Sequence, residues 1–193
     1  MPLFPDEAKN AIEALLFVSN EPLSAQTIAE ILDRSPYDVE VLLKEIKADC
    51  EKEARGFCLM EVAGGYSFVT RPEYAPYIEK LVKPRLSTLT QAALETLAIV
   101  AYKQPITRSE IEEIRGVKCD KALNTLIERT LIQERGRKDG PGRPIVYGTT
   151  KDFLKYFGLK SLDDLPKVDL QVMAKLNPQL AAETEKQEDT RVS

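Results

Sequence analysis

The sequence predicts a mainly helical chain with small β-hairpins, an α+β fold arranged as two tandem winged-helix (helix-turn-helix) domains. Three observations predict it. The first is a duplication. Glu13 to Ile31 recurs without a gap at Thr96 to Ile114, 83 positions on, so that Leu16 falls on Ile99, Pro22 on Pro105, Ser24 on Thr107, Ile28 on Ile111 and Ile31 on Ile114. After one inserted residue the match resumes, with Val39 on Leu123, Leu42 on Leu126 and Leu43 on Ile127. A period of this length marks a duplicated domain rather than a solenoid unit. The second observation is that each copy reads as an apolar helix, a Pro-containing turn, a hydroxyl-capped helix and a third helix. The third is that two strand-like runs follow each third helix, which is the order of a winged helix-turn-helix.

In the first copy a helix is expected from about Asp6 to Ser19, apolar nearly all round in its second half. Ser24 is placed to cap the next helix, whose Ile28, Ile31 and Leu32 share one buried face. Ser35 and Pro36 open a third helix, as N-cap and first helical residue, with Val39, Leu42, Leu43 and Ile46 as its apolar stripe. Phe57 to Val62 and Tyr66 to Thr70 read as strands joined across Ala63-Gly64-Gly65. A short helix in Arg71 to Pro84, carrying Tyr74, Tyr77, Ile78, Leu81 and Val82, is expected to pack back on this domain.

The second copy repeats the plan. Helix one is expected from Gln91 to Tyr102, and Thr107-Arg-Ser-Glu110 is a capping box for helix two. Helix three runs from about Asp120 to Arg129, and Leu131 to Glu134 and Ile145 to Thr149 are its wing strands. Phe153, Leu154, Phe157, Leu159, Leu162 and Leu165 form a closing amphipathic segment. The expected domains are therefore 1–84 and 85–166, with Pro84 as boundary and 167–193 as a mostly disordered polar tail.

Composition excludes several function classes. The chain has 193 residues and no His, which removes the usual general base, metal ligand and Ser-His or Cys-His nucleophile. No enzymatic constellation, cofactor or metal site is expected. Cys50, Cys58 and Cys119 follow no metal or redox spacing and read as reduced thiols of a cytoplasmic protein, Cys58 as buried filler. The start of the chain lacks the basic region of a signal peptide, and no apolar run reaches the roughly 20 residues of a membrane span. Charge is uneven. Residues 1–84 hold 9 Lys+Arg against 15 Asp+Glu, and residues 85–166 hold 14 against 11. A strongly basic domain, the usual footprint of a nucleic-acid binder, is absent.

Three constellations can carry function. The first comprises the third helices. The one from Pro36 is net acidic and should be repelled by DNA, whereas Lys118, Lys121, Asn124 and Arg129 make the other permissive for DNA. The second is Gly136 to Pro144, a stiff loop that presents Arg143 to a partner surface or to phosphate; it lacks the ending of a nucleotide P-loop. The third comprises the apolar first helices, which predict self-association and a protein ligand where their own domain leaves them uncovered.

The run from Gly136 through Gly-Pro-Gly-Arg-Pro144 to Thr150, with Phe153-Leu154, Phe157-Gly-Leu159 and Leu162-Asp-Asp-Leu-Pro166, resembles the segregation and condensation protein B family. So do Ile99-Val-Ala-Tyr-Lys-Gln-Pro-Ile-Thr-Arg-Ser-Glu-Ile111 and Arg115-Gly-Val117. The likeness spans about residues 8–166. It implies a homodimer held by the first domains, with the second domains embracing the kleisin subunit (ScpA) of a bacterial condensin-like SMC complex. It also implies a nucleoid-associated role in chromosome condensation and segregation during cell division, and no catalysis. DNA contact would be indirect, or weak and non-specific. Ile12, Leu15 and Leu16 are the candidate dimer contacts, and Leu97, Tyr102, Arg143 and Tyr147 the candidate kleisin contacts. Two residues depart from the family pattern. Cys119 stands where Ser is common, which weakens a cap, and Thr130 stands where Gly ends the helix. The alternative reading is a winged-helix transcriptional regulator.

Overall fold

The computed structural model describes residues 5–82 and 88–167. The expected boundary at Pro84 and all but the first residue of the 167–193 tail lie outside the described residues. Within them the protein is a mixture of helices and two small sheets, grouped in two units. Among the described residues, 5–82 and 88–90 group with Thr150–Leu162, and Gln91–Thr149 group with 163–167.

The first unit opens with α1 (Pro5–Val18), α2 (Ala25–Leu32) and α3 (Pro36–Lys52). The caps are those the sequence calls for. Ser24 Oγ accepts from the amide of Thr27, and Ser35 Oγ accepts from that of Asp38. Ala8, Ile12 and Leu16 of α1 meet Ile28 and Ala29 of α2 and Val39, Leu42, Leu43, Ile46 and Cys50 of α3 in one core. Strands β1 (Phe57–Val62) and β2 (Gly65–Thr70) pair antiparallel from Phe57 opposite Thr70 to Val62 opposite Gly65. Their turn is the two residues Ala63 and Gly64, at φ 51° and 77°. Positive φ at both positions is the geometry whose twist matches a hairpin. Arg71 donates to the carbonyl of Cys50 at 3.0 Å, tying the chain after β2 to the end of α3. Helix α4 (Ala75–Val82) follows a single 3-10 turn.

The second unit repeats this order: α5 (Gln91–Lys103), β3 (Ile106–Thr107), α6 (Arg108–Arg115), α7 (Asp120–Glu128), β4 (Ile132–Arg137) and β5 (Ile145–Thr149). Its three-stranded sheet runs β3-β5-β4. The duplication is visible in detail. Leu23 bridges Tyr66 in the first unit, and in the second Ile106, the counterpart of Leu23, pairs with Tyr147. The peptide bond between Gln104 and Pro105 is cis.

Four sequence expectations need correction. Cys58 is only half-buried, whereas Cys50 and Cys119 are buried, and burial pushes both their thiols up. The segment from 153 does not close the second unit as expected. Its helix α8 (Lys151–Phe157) and the residues to Leu162 belong to the first unit, where the carbonyls of Leu159 and Lys160 accept from the amides of Ala63 and Gly64 at 2.9 and 3.0 Å. Helix α4 is only loosely covered: Ala75 and Ile78 are half-buried, and none of its residues is fully buried. Finally, α7 does not end without a left-handed residue. Thr130 itself takes φ 56°, and the amide of Leu131 reaches back to the carbonyl of Leu126. A β-branched side chain in that region is strained by about 1–2 kcal/mol, more than Gly forfeits in chain entropy. Thr130→Gly is therefore expected to raise stability by about 0.5–1 kcal/mol, read as a higher thermal midpoint; a fall in the midpoint would refute the assignment of strain. The weak cap expected at Cys119 is seen: its side chain caps nothing, and its amide donates instead to Glu112 Oε1 at 3.1 Å.

Candidate interaction surfaces

The residues left uncovered are best understood from how each first helix is rolled. On α1 the buried positions Ala8, Ile12 and Leu16 recur every four residues, so the stripe is narrow. Phe17 and Val18 fall outside it and stand 87% and 74% exposed at the helix end. On α5 six residues are buried (Ala93, Thr96, Leu97, Ile99, Val100 and Ala101), so this helix is covered on several sides by its own unit. Thr96 is buried there because its hydroxyl donates to the carbonyl of Ala92 at 2.8 Å. What remains outside is the row Leu94, Ala98 and Tyr102, four residues apart, with Leu94 and Tyr102 exposed. The Tyr102 hydroxyl donates to the carbonyl of Pro166 at 2.8 Å.

Helix α4 is the least covered apolar element of the first unit. Tyr77 and Leu81, one turn apart, are 70% and 83% exposed. Eight residues are too few for a helix to hold itself in water, where about 12–15 are marginal even for good formers. An amphipathic helix of this length needs something against its apolar side.

The second unit presents charge as well. The capping box at the start of α6 is complete. Thr107 Oγ1 accepts from the Glu110 amide at 3.3 Å, and Glu110 Oε2 accepts from the Thr107 amide at 2.8 Å. Lys138, from the β4–β5 loop, lies 2.7 Å from the other Glu110 oxygen. The Lys138 ammonium, then the Thr107 amide and hydroxyl, bring the Glu110 carboxyl down to about 2. Arg108 pairs with Glu112 at 3.0 Å and with Asp120, and the bond from the Cys119 amide is the main cause holding the Glu112 carboxyl low. On the loop itself, Arg137 donates to the carbonyl of Arg143 at 3.0 Å, and Arg143 is exposed.

The predicted site residues divide. Ile12, Leu16 and Leu97 sit in the cores of their own units, and a residue that fills a core cannot also face a partner. The all-round apolar character of the first helices had pointed to them. Leu15 and Tyr147 are half-buried, and Tyr102 and Arg143 are exposed. Burial, then the Glu134 carboxylate, pushes the Tyr147 phenol up. The exposed residues that sequence reasoning passed over are Phe17, Val18 and Leu94, and it placed Tyr77 and Leu81 against the first unit. The four-residue spacing of Ala8, Ile12 and Leu16 was the available signal that Phe17 lies off the buried stripe. Among the described residues no group of three or more His, Cys, Asp or Glu could hold a metal ion, and no helix is long and apolar enough to cross a membrane.

The profile of the family described as "Segregation and condensation complex subunit ScpB" matches residues 10–168. The segregation and condensation protein B of Brevibacillus brevis is 56% identical over 164 residues, covering 84% of each chain. That of Moorella thermoacetica is 54% identical over 170 residues, 88% of this chain and 87% of its own. Among solved structures, ScpB from Mycobacterium tuberculosis is 38% identical over 82% of this chain and 99% of that one, with a TM-score of 0.42. A crystal structure described as a dimer of the ScpB N-terminal domain complexed with ScpA peptide is 39% identical over 39% of this chain and 95% of that one, with a TM-score of 0.38.

Proposed function

The chain belongs to the segregation and condensation complex subunit ScpB family, and from that premise we propose that it is a non-catalytic subunit of a bacterial condensin-like SMC–kleisin complex. In this reading it acts in the cytoplasm, at the nucleoid, in chromosome condensation and segregation during cell division. Its two units are tandem winged-helix domains. The first (1–84, joined by 150–162) dimerises, and the second binds the kleisin and through it the SMC subunit. The transcriptional-regulator alternative finds no support in the family.

The observation that carries the reading is the uncovered apolar surface, present on both units while the cores are complete. In the first unit it supports a dimer contact at Tyr77 and Leu81 of α4 and at Phe17 and Val18 of α1, with the half-buried Leu15 beside them. A second copy laid on α4 gives that short helix the packing it otherwise lacks. In the second unit the row Leu94, Ala98 and Tyr102, with Tyr147 on the sheet, supports kleisin docking: one aromatic and one aliphatic anchor over a small residue suits an amphipathic segment.

The test is size-exclusion chromatography with light scattering, on the protein alone and with its kleisin. The wild-type chain should elute at twice its 21.7 kDa and carry the kleisin with it. Tyr77→Asp with Leu81→Asp should halve the mass while the helical signal and thermal midpoint of the units persist. Leu94→Asp should leave the dimer intact and weaken kleisin binding at least about tenfold, the order expected for a central anchor. A chain that stays dimeric with both α4 substitutions, or binds the kleisin fully with Leu94→Asp, refutes the corresponding surface.

A further inference from the structure

We propose that the first residues of the tail, 168–177, fold back as a short amphipathic helix along the exposed row of α5, and so keep closed the surface on which the kleisin would dock. The assignment starts from one hydrogen bond. The Tyr102 hydroxyl donates to the Pro166 carbonyl at 2.8 Å, and Leu165, one residue earlier, is half-buried. This bond fastens the chain just before the tail to one end of the row Leu94, Ala98 and Tyr102. The tail therefore leaves from the edge of the uncovered surface, within the unit that holds α5. Leu94 and Tyr102 are eight residues apart on their helix, about 12 Å. Lys167 to Asp169 give about 10 Å of extended chain, which covers the roughly 8–10 Å between packed helices and lets the tail turn back.

The composition of the tail suits this role. Its charge is unevenly spread: residues 168–182 hold two charged residues and 183–193 hold six, so only the nearer part can cover apolar surface. That part carries Leu170, Met173 and Leu176 at intervals of three, with Val172 four before Leu176, the spacing of one helix face. The ends of the helix are marked as well. Asp169 stands at the N-cap, Lys175 in the last turn, and Asn177-Pro178 where a helix stops. Seven or eight helical residues span about 10–12 Å, which matches the row. A helix this short does not persist alone in water and needs an apolar surface to lie on.

Charge agrees with the direction that the tether imposes. Turning back from Pro166, the tail helix runs antiparallel to α5. Asp169 then comes to the Lys103 end of α5 and Lys175 to the Glu95 end. Lys103 and Glu95 are both exposed, and each adjoins one end of the row. The opposite direction would set Asp169 against Glu95 and Lys175 against Lys103. At the middle of the row Ala98 admits a close approach, and unbranched Met173 fits over it. The tether also favours this occupant over a second copy, because a short linker holds the segment at a local concentration in the millimolar range. The kleisin must then displace the tail, and the closed fraction lowers its apparent affinity. That consequence rests on kleisin docking at Leu94; the fold-back itself does not.

Hydrogen exchange on the full chain without kleisin tests the fold-back, and kleisin affinity tests its consequence. A closed-to-open ratio of about ten gives about tenfold protection of amides 173–177, and about tenfold tighter kleisin binding once the tail is disabled. Leu170→Asp with Met173→Asp should abolish the protection and produce that gain, with the thermal midpoint of the units unchanged. Leu94→Asp should abolish the protection from the other side. Unprotected amides 173–177 in the wild-type chain, or protection that survives Leu94→Asp, would overturn the proposal. So would a kleisin affinity unmoved by the tail variant while Leu94→Asp weakens it. If Leu94→Asp leaves kleisin binding whole, the docking reading fails instead, and exchange at 173–177 alone decides the fold-back.

Discussion

Gly65→Ala is expected to destabilise the first unit by about 3 kcal/mol, because the space beside it is filled by backbone that cannot move. A Cβ at this position would lie 2.9 Å from the carbonyl carbons of both Pro22 and Leu23 and 3.0 Å from the Leu23 nitrogen. Those atoms are held in place by two hydrogen bonds, Leu23 amide to Tyr66 carbonyl at 3.0 Å and Tyr66 amide to Leu23 carbonyl at 2.8 Å. The bridge joins the turn before α2 to the hairpin, and both its residues lean on the α1–α3 core. To admit one methyl the bridge must open, and the start of α2, capped by the next residue, Ser24, must shift with it. Chemical denaturation would measure the loss, and hydrogen exchange at the Tyr66 amide would show where it falls. Gly64→Ala is the internal control. Its φ of 77° carries a penalty for any side chain, but nothing lies within 4 Å, so only about 1 kcal/mol should be lost. Equal effects at the two positions would mean that close approach is not what Gly65 provides.

Phe153→Ala should cost about 3–5 kcal/mol, the largest effect of any single truncation in α8. Phe153 is the only buried residue of that helix and is the bulkiest fully buried side chain among the described residues. Its ring stacks at a tilt on Phe157, with centroids 4.9 Å apart. The other contacts of this segment are at the surface: Lys155 with Glu21 at 2.9 Å and Lys160 with Glu61 at 2.7 Å, pairs that contribute little on their own. The aromatic ring is therefore the part of the segment with the most buried surface to lose, and the carbonyls of Leu159 and Lys160 that accept from the β1–β2 turn follow it closely in the chain. The variant should lose exchange protection at Ala63 and Gly64 together with its stability. A loss below about 1 kcal/mol with those two amides still protected would show that the segment docks by its backbone and ion pairs instead.

The residues show why some features were legible in advance. Ser24, Ser35 and the Thr107–Glu110 box act on amides three positions away, so their meaning is complete within a short window. The duplication carried the alignment of both units, and the helices α2 and α6 begin 83 residues apart, the offset of the sequence repeat. The candidate site fared less well. Ile12, Leu16 and Leu97 have the composition of an interface and the position of a core, and composition does not separate the two. Tyr77 and Leu81 have the spacing of a packed helix face and lie open. Arg143 was legible as an exposed loop cation, but neither its left-handed backbone nor its contact with Arg137 could be read from spacing.

The sequence by itself determined two repeated units, their helices and caps, the hairpins, the missing chemistry of a His-free chain and the family. Those follow from local bonding rules and from a repeat that any alignment of the chain on itself reveals. Only the tertiary structure decided which apolar residues are consumed by a core, that residues 151–162 serve the first unit rather than the second, and that Thr130 and Arg143 bear positive φ. Burial depends on which surfaces meet, and those surfaces come from segments far apart in the chain, as Glu21 and Lys155 are, with no trace of the meeting in either segment alone.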